Sequence, residues 1–217
     1  MTDVPALQAP DLPDLVAVSL PAAADAGAID LSGALFTGDG GTLPAGRVRV
    51  RESELRGVVL EAGSVPGLTL ADVIMRDCAM SNVDGREGRL NRVEIHRSQL
   101  VGFGLNGGDV RDLRVVDSSL QLASFASATL RNVVFEQVNL AEASFMHARL
   151  EAVAFVDCRL QGADFRHAKL AACAIRGASL DGVLGVDSLR GLRMPWPDLM
   201  ASAGALAAAL GIDVESG

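Results

Sequence analysis

From about Val50 to Leu180 a bulky apolar residue falls on nearly every position divisible by five, most regularly at Leu120, Phe125, Leu130, Phe135, Leu140, Phe145, Leu150, Phe155, Leu160, Phe165 and Leu170. Five residues of α-helix turn about 500°, which would carry these side chains around the whole helix, and an odd step along a flat strand would put them on alternate faces. A chain that bends every five residues and coils on itself returns each of them inward. A second inward column lies two residues earlier and is small: Ala123, Ala128, Val133, Val138, Ala143, Ala148, Val153, Cys158, Ala163, Ala168, Cys173 and Ala178. Residues between them, such as Asn132, Gln137, Glu142, Arg149, Glu151, Arg159 and Asp164, are polar and predicted to face water. Large-in, small-in and polar-out is the pattern of a solenoid.

Leu and Phe alternate strictly from 120 to 170, and this alternation sets the number of sides. A three-sided coil would stack Leu on Phe, whereas an even-sided one stacks like on like. Ten residues are too few to enclose side chains, so the expectation is a four-sided coil of about 20 residues, with coils separated by about 4.8 Å and joined by backbone hydrogen bonds. Phe125, Phe145 and Phe165 then form one ladder, and Leu120, Leu140, Leu160 and Leu180 another.

The segments AEASF, QGADF, RHAKL, RGASL and EQVNL resemble the pentapeptide-repeat family, and the resemblance runs for about 130 residues in one register. It implies an all-β fold, a right-handed quadrilateral β-helix with the central residue of each repeat and the residue two before it inside. The sequence departs from the family's usual Asp or Asn before the central residue, which in the cleaner repeats stands only at Asn139 and Asp164.

The register predicts three parts: an irregular segment with a partial first coil over 1–46, the solenoid over 47–193, and a helical cap and tail over 194–217. IDLSGALF, residues 29–36, is a repeat fragment one residue out of phase, and TGDGGTLPAG after it is a turn-rich link. Gly85 takes a bulky position, and Phe103, at a small position one coil later, is the expected filler. Pro195-Trp196-Pro197-Asp198 opens a predicted helix through Leu210, with Pro and an acid in its first turn and Gly211 past its end. Its stripe of Leu199, Ala203, Leu206 and Leu210 is expected to cap the last coil, and the same helix is a candidate homodimer surface.

The amino terminus, MTDVPALQAPDLPDL, is acidic and proline-broken, without the basic and apolar regions of a secretory signal. No apolar run reaches the roughly 20 residues of a membrane span. Cys78, Cys158 and Cys173 lack the spacing of a metal or disulfide framework, so the expected setting is reducing and cytoplasmic.

Candidate chemistry is sparse, and no catalytic, cofactor-binding or metal-binding residue is assigned. Gly102-Phe103-Gly104-Leu105-Asn106-Gly107 fits a dinucleotide-loop pattern, but Leu105 is on the inward register and no helix is expected to follow. His147 and His167 fall one coil apart at equivalent outward positions, a solvated pair with no third ligand to complete a metal site. His96 lies on another side. With the cysteines inward and no carboxylate or serine set beside a histidine, the expectation is no enzyme.

The resemblance to the family also implies a partner, because some members copy the shape and charge of duplex DNA, bind DNA gyrase and protect it from quinolones. The net charge of −8 favours that reading at first sight. Six acids precede Arg47 and three follow Arg193, however, leaving 18 acids against 19 bases between them. A DNA segment as long as seven coils, about 33 Å, carries roughly 20 negative charges. One side is mildly basic: Arg49, Arg51, Arg89, Arg92, Arg111, Arg131, Arg149 and Lys169 outnumber Glu52, Asp72, Asp109, Asp112 and Glu151. Direct nucleic-acid binding would want a larger excess with aromatics interleaved. The expected function is a non-catalytic scaffold for another protein, with gyrase protection by DNA mimicry as the alternative.

Overall fold

A computed structural model describes residues 4–19, 28–37, 46–60 and 63–214. The turn-rich link expected after Phe36 lies largely outside these residues. The chain winds into a right-handed β-solenoid of about 7 turns, ended by two short helices. From Arg49 to Arg176 the strands of each coil pair with the next in parallel at an offset of 20 residues, as in Leu130↔Leu150 and Phe135↔Phe155, which is the four-sided expectation.

Sides are numbered here by their inward residues. Side one holds Leu70, Leu90, Val110, Leu130 and Leu150; side two holds Met75, Ile95, Val115, Phe135 and Phe155; all are buried. Eight-residue strands such as Thr69–Arg76, Arg89–His96, Asp109–Val116, Thr129–Glu136 and Arg149–Val156 run through both sides. They bend at one residue with positive φ: Asp72, Arg92, Asp112, Asn132 or Ala152, at 51–55°. Side three (Met80, Leu100, Leu120, Leu140, Leu160, Leu180) and side four (Val65, Gly85, Leu105, Phe125, Phe145, Phe165) are joined by single bridges such as Ser119↔Asn139 and Ser124↔Ser144.

Their corners are hydrogen-bonded turns: Ala123 N donates to Leu120 O and Ala128 N to Phe125 O, both at 3.0 Å. The third turn residue, Leu122 or Ser127, has φ near 60°, as a type II turn requires. The corner after side two closes differently. There Ser98 Oγ donates to His96 O (2.8 Å) and accepts from Cys78 N (3.1 Å), while Ser118 Oγ donates to Val116 O (2.8 Å) and accepts from Ser98 N (3.0 Å). Cys78 and Cys158 thiols donate to Arg76 O and Val156 O in the same way. Small polar side chains in that inward column therefore complete the corner, since a buried carbonyl left unpaired costs about 1–3 kcal/mol.

The ladders form as expected. Phe145 stacks on Phe125 and Phe165 with ring centroids 5.3 and 4.9 Å apart, and meets Phe155 of side two edge-on at 5.7 Å. The space beside Gly85 is not taken by Phe103 as expected: the atoms nearest to a Cβ placed there are Gly104 O at 3.2 Å and Leu68 Cδ2 at 3.5 Å. Leu68 stands in a small column one corner away, and its larger side chain reaches across.

Both ends depart from the regular coil. Strands Ala28–Ser32 and Ala34–Thr37 pair with Arg47–Arg56 at an offset of 19 residues (Leu31↔Val50, Phe36↔Leu55), so this coil is one residue short and the phase shift is absorbed there. Strand Val16–Ser19 adds the first rung. At the other end the expected single helix is two, Trp196–Ala201 and Ala203–Ala209, broken at Ser202. The break resets the register, so Leu199 and Leu206 face the last coil while Ala203 and Leu210 are exposed. Ser202 is held there because its Oγ accepts from Leu180 N (3.1 Å), and Asp198 Oδ2 accepts from Gly177 N (2.8 Å). These two side chains replace carbonyls that a further coil would have offered.

Candidate interaction surfaces

Charge is distributed unevenly over the four sides, and where it is dense it is paired. On side one Arg51 bonds Asp30 (3.1 Å), Arg92 forks onto Asp72, and Arg131 bridges Asp109 (3.2 Å) and Glu151 (3.5 Å). On side two Glu54 meets Arg56 (2.7 Å) and Arg76 (3.3 Å), Arg97 meets Asp77 (2.9 Å), and Arg114 meets Glu136 (2.7 Å). On side four Arg86 holds Asp84 and Arg166 holds Asp164. Among the described residues, outward positions of side three carry Arg159, Glu142 and Asp181 and are otherwise uncharged. The arginine beside each of Asp72, Asp77, Asp84 and Asp164 holds its carboxyl below the usual range through a charge-assisted hydrogen bond.

His147 and His167 lie where the sequence placed them, exposed at successive corners of one column. Their rings stack at 4.8 Å and 14°. The next residue in the column is Asp187, yet among the described residues no group of three or more His, Cys, Asp or Glu can hold a metal ion. His96 pairs with Glu94 on side two at 3.0 Å. Gly102 and Gly107, both at φ 68°, are corners of sides three and four, and strand rather than helix follows them, so nothing aims N–H groups at a pyrophosphate. Burial raises all three thiols, Cys158 to about 11, which leaves them protonated and unreactive at neutral pH.

Exposed apolar surface gathers at the carboxy-terminal end. Trp196 is 70% and Leu210 77% exposed, with Met200, Ile212 and Val214 nearby in sequence. Between the last coil and the helices lies a groove of about 570 Å³ lined by Leu180, Val186, Leu189, Leu192, Leu199 and Leu206, among others. Among the described residues no helix is long and apolar enough to cross a membrane.

A side-chain-filled parallel solenoid with flat sides and a helical carboxy-terminal end defines the class: a β-helix. Residues 115–184 match the family model described as pentapeptide repeat region. A comparison with curated proteins found no match. Among solved structures, a trypsin-treated variant of QnrB1, described as a plasmid-mediated fluoroquinolone resistance protein, is 18% identical; the alignment covers 93% of this chain and 98% of that one, with a TM-score of 0.47. HetL, a pentapeptide repeat protein involved in heterocyst differentiation regulation from the cyanobacterium Nostoc sp. Strain PCC 7120, is 19% identical over 77% of this chain and 90% of that one, with a TM-score of 0.31.

Proposed function

We propose that this chain is a non-catalytic scaffold that presents a rigid side of its solenoid to another protein. The observation that carries the reading is the pairing of charge. Many carboxylates on sides one, two and four, among them Asp72, Asp77, Glu136 and Asp164, are paired with arginines of the same or the adjacent coil, which leaves flat, mixed-charge surfaces suited to a protein partner. Gyrase protection by DNA mimicry, the alternative implied by the family, asks for a continuous stripe of unpaired acids, and the pairing counts against it. Supercoiling and drug-stabilised cleavage by purified gyrase, with a fluoroquinolone and rising amounts of this protein, separate the two. Inhibition at micromolar protein or below would replace the scaffold reading with gyrase protection. Unchanged gyrase activity together with capture of a protein on the immobilised chain is the outcome expected.

The buried, unpaired thiols support a reducing, cytoplasmic setting. The exposed Trp196, Met200 and Leu210 support a homodimer formed through the helical end. Sedimentation of the intact chain and of Trp196→Glu tests it, a dimer becoming monomer on substitution. Cleavage near residues 46 and 193 in limited proteolysis tests the three-part division.

A further inference from the structure

Residues 4–15 carry no repeat, yet they cross the coils along side two. Gln8 N donates to Asp112 Oδ1 (3.2 Å), and three residues later Asp11 N donates to Asp72 Oδ1 (3.1 Å). The two acceptors are two coils apart, about 9.6 Å at the usual strand spacing. Three residues of extended chain reach about 10 Å, so the segment is stretched and runs opposite to the growth of the coils. Pro5, Leu7, Pro10, Leu12 and Leu15 are half-buried while Val4, Ala6, Gln8, Ala9 and Asp11 are exposed, so one edge of the segment faces the solenoid. Its prolines favour this extended form and withdraw donors that would otherwise need partners.

The surface beneath is shaped for such a chain. Val134 points outward from side two, yet it is only 3% exposed, and with Arg114 and Glu136 it lines a groove of about 310 Å³ along which Val4, Pro5 and Leu7 lie. The Asp11 carboxylate is close enough to Arg92 to favour its charge. No residue of the segment is fully buried, and few hydrogen bonds tie it down, so it sits at the readily opened end of the local stability range.

We propose that side two is a docking groove for an extended, proline-broken acidic peptide of the partner, and that residues 4–15 are its resident occupant, displaced when the partner's strand enters. This rests on the scaffold reading and assigns the surface it uses. The seated segment itself shows the chemistry accepted: apolar side chains along the groove that Val134 and Arg114 line, backbone N–H groups toward Asp72 and Asp112, and the Asp11 carboxylate toward Arg92.

The test titrates a fluorescein-labelled peptide of residues 4–15 against the full chain and against the full chain carrying Val4→Glu and Leu7→Glu, read by fluorescence anisotropy. A tether holds its own segment at roughly millimolar effective concentration, so an intrinsic Kd near 0.1 mM makes the loosened chain bind about tenfold more tightly than the native one. Adding Arg114→Glu to the loosened chain should abolish that binding. Amide exchange at Gln8 and Asp11 reports release of the segment, and Leu12→Glu is added if it stays seated. Equal binding by both chains, binding unaffected by Arg114→Glu, or no binding once the segment is released would each overturn the groove. If a partner is still captured on the immobilised chain in those cases, the scaffold reading stands and another side carries it; if none is captured, both readings fall.

Discussion

The two halves of the solenoid fill the same cross-section in different ways. From Leu120 to Leu170 the bulky columns alternate Leu and Phe, the small columns are Ala, Val or Cys, and every Phe ring stacks on its equivalent in the adjacent coils. From residue 63 to 116 side four runs Val65, Gly85, Leu105, and the neighbouring small columns answer with Leu68 where space opens beside Gly85, and with Gly88 and Gly108 where Leu105 closes it. A Cβ on Gly88 would lie 2.8 Å from Leu105 Cδ1, and one on Gly108 2.8 Å from Leu105 Cγ. The backbone fixes the volume of a coil, and the columns may divide it in any way that leaves no void. The match to the family model, residues 115–184, covers the half in which the bulky positions alternate Leu and Phe.

The largest effect is expected where columns repeat. Phe145→Ala removes a ring stacked on two others and flanked by Ala143 and Ala148, which are too small to collapse into the space, so it should cost about 4 kcal/mol in urea unfolding. Leu105→Ala, in the compensated half, should cost about 3 kcal/mol. If Leu105→Ala proved as costly as Phe145→Ala or more so, the contrast between the halves would lose its energetic meaning. Next comes the compensation itself. Gly85→Leu overpacks against Leu68 and should cost about 1–3 kcal/mol alone, while joined to Leu68→Ala it should recover about 1–2 kcal/mol of the two separate losses. Simple additivity would show that the two sites do not share a space.

Most of this architecture was legible because a repeat states each rule many times. The five-residue step fixed the inward columns, and the Leu–Phe alternation fixed four sides, later seen as the 20-residue offset. Features that occur once were not legible. Leu68 reaches Gly85 around a corner, a relation no column reveals. The path of residues 4–15 depends on acceptors at Asp72 and Asp112, 61 and 104 positions away from their donors. The break at Ser202 answers an unpaired N–H at Leu180, which a helical stripe does not encode. Of the candidate surface, the charge balance could be read from the sequence, but the fine pairing of each carboxylate needed the coils in place.

Corner chemistry sharpens the same contrast more gently. In the amino-terminal half the corner after side one carries Asp72 and Arg92, ion-paired and partly buried, where later coils place Ala152 and Ala172. The depressed carboxyl of Asp72 adds stability that is present above its ordinary value near 3.8 and is lost as pH falls through its lower folded value. Asp72→Asn should therefore cost about 1–2 kcal/mol at pH 7, and the cost should shrink as pH falls toward 3 and below. Asp77→Asn, at an exposed pair one corner on, should change stability little at any pH. Equal losses from both substitutions would show that burial does not set the value of these pairs.

The smallest expected effect is a gain. Leu122 holds φ 59° at a corner of side three and is 51% exposed, so it bears the left-handed strain of roughly 1 kcal/mol without compensating burial. Equivalent corners in other coils carry Asn82, Gly102, Gly162 and Gly182, residues that accept this conformation readily. Leu122→Asn should therefore stabilise by up to about 1 kcal/mol, raising Tm by about 2–4 °C, because Asn tolerates positive φ without the backbone entropy that Gly adds to the unfolded chain. Ala126→Asn, at a turn residue without positive φ, is the control and should leave Tm where it is. If Leu122→Asn gives no gain, the strain at this corner is already met by the coil on its far side, where Leu122 N donates to Ala141 O at 3.0 Å. Corner identity would then be set by solubility and by partners rather than by the turn.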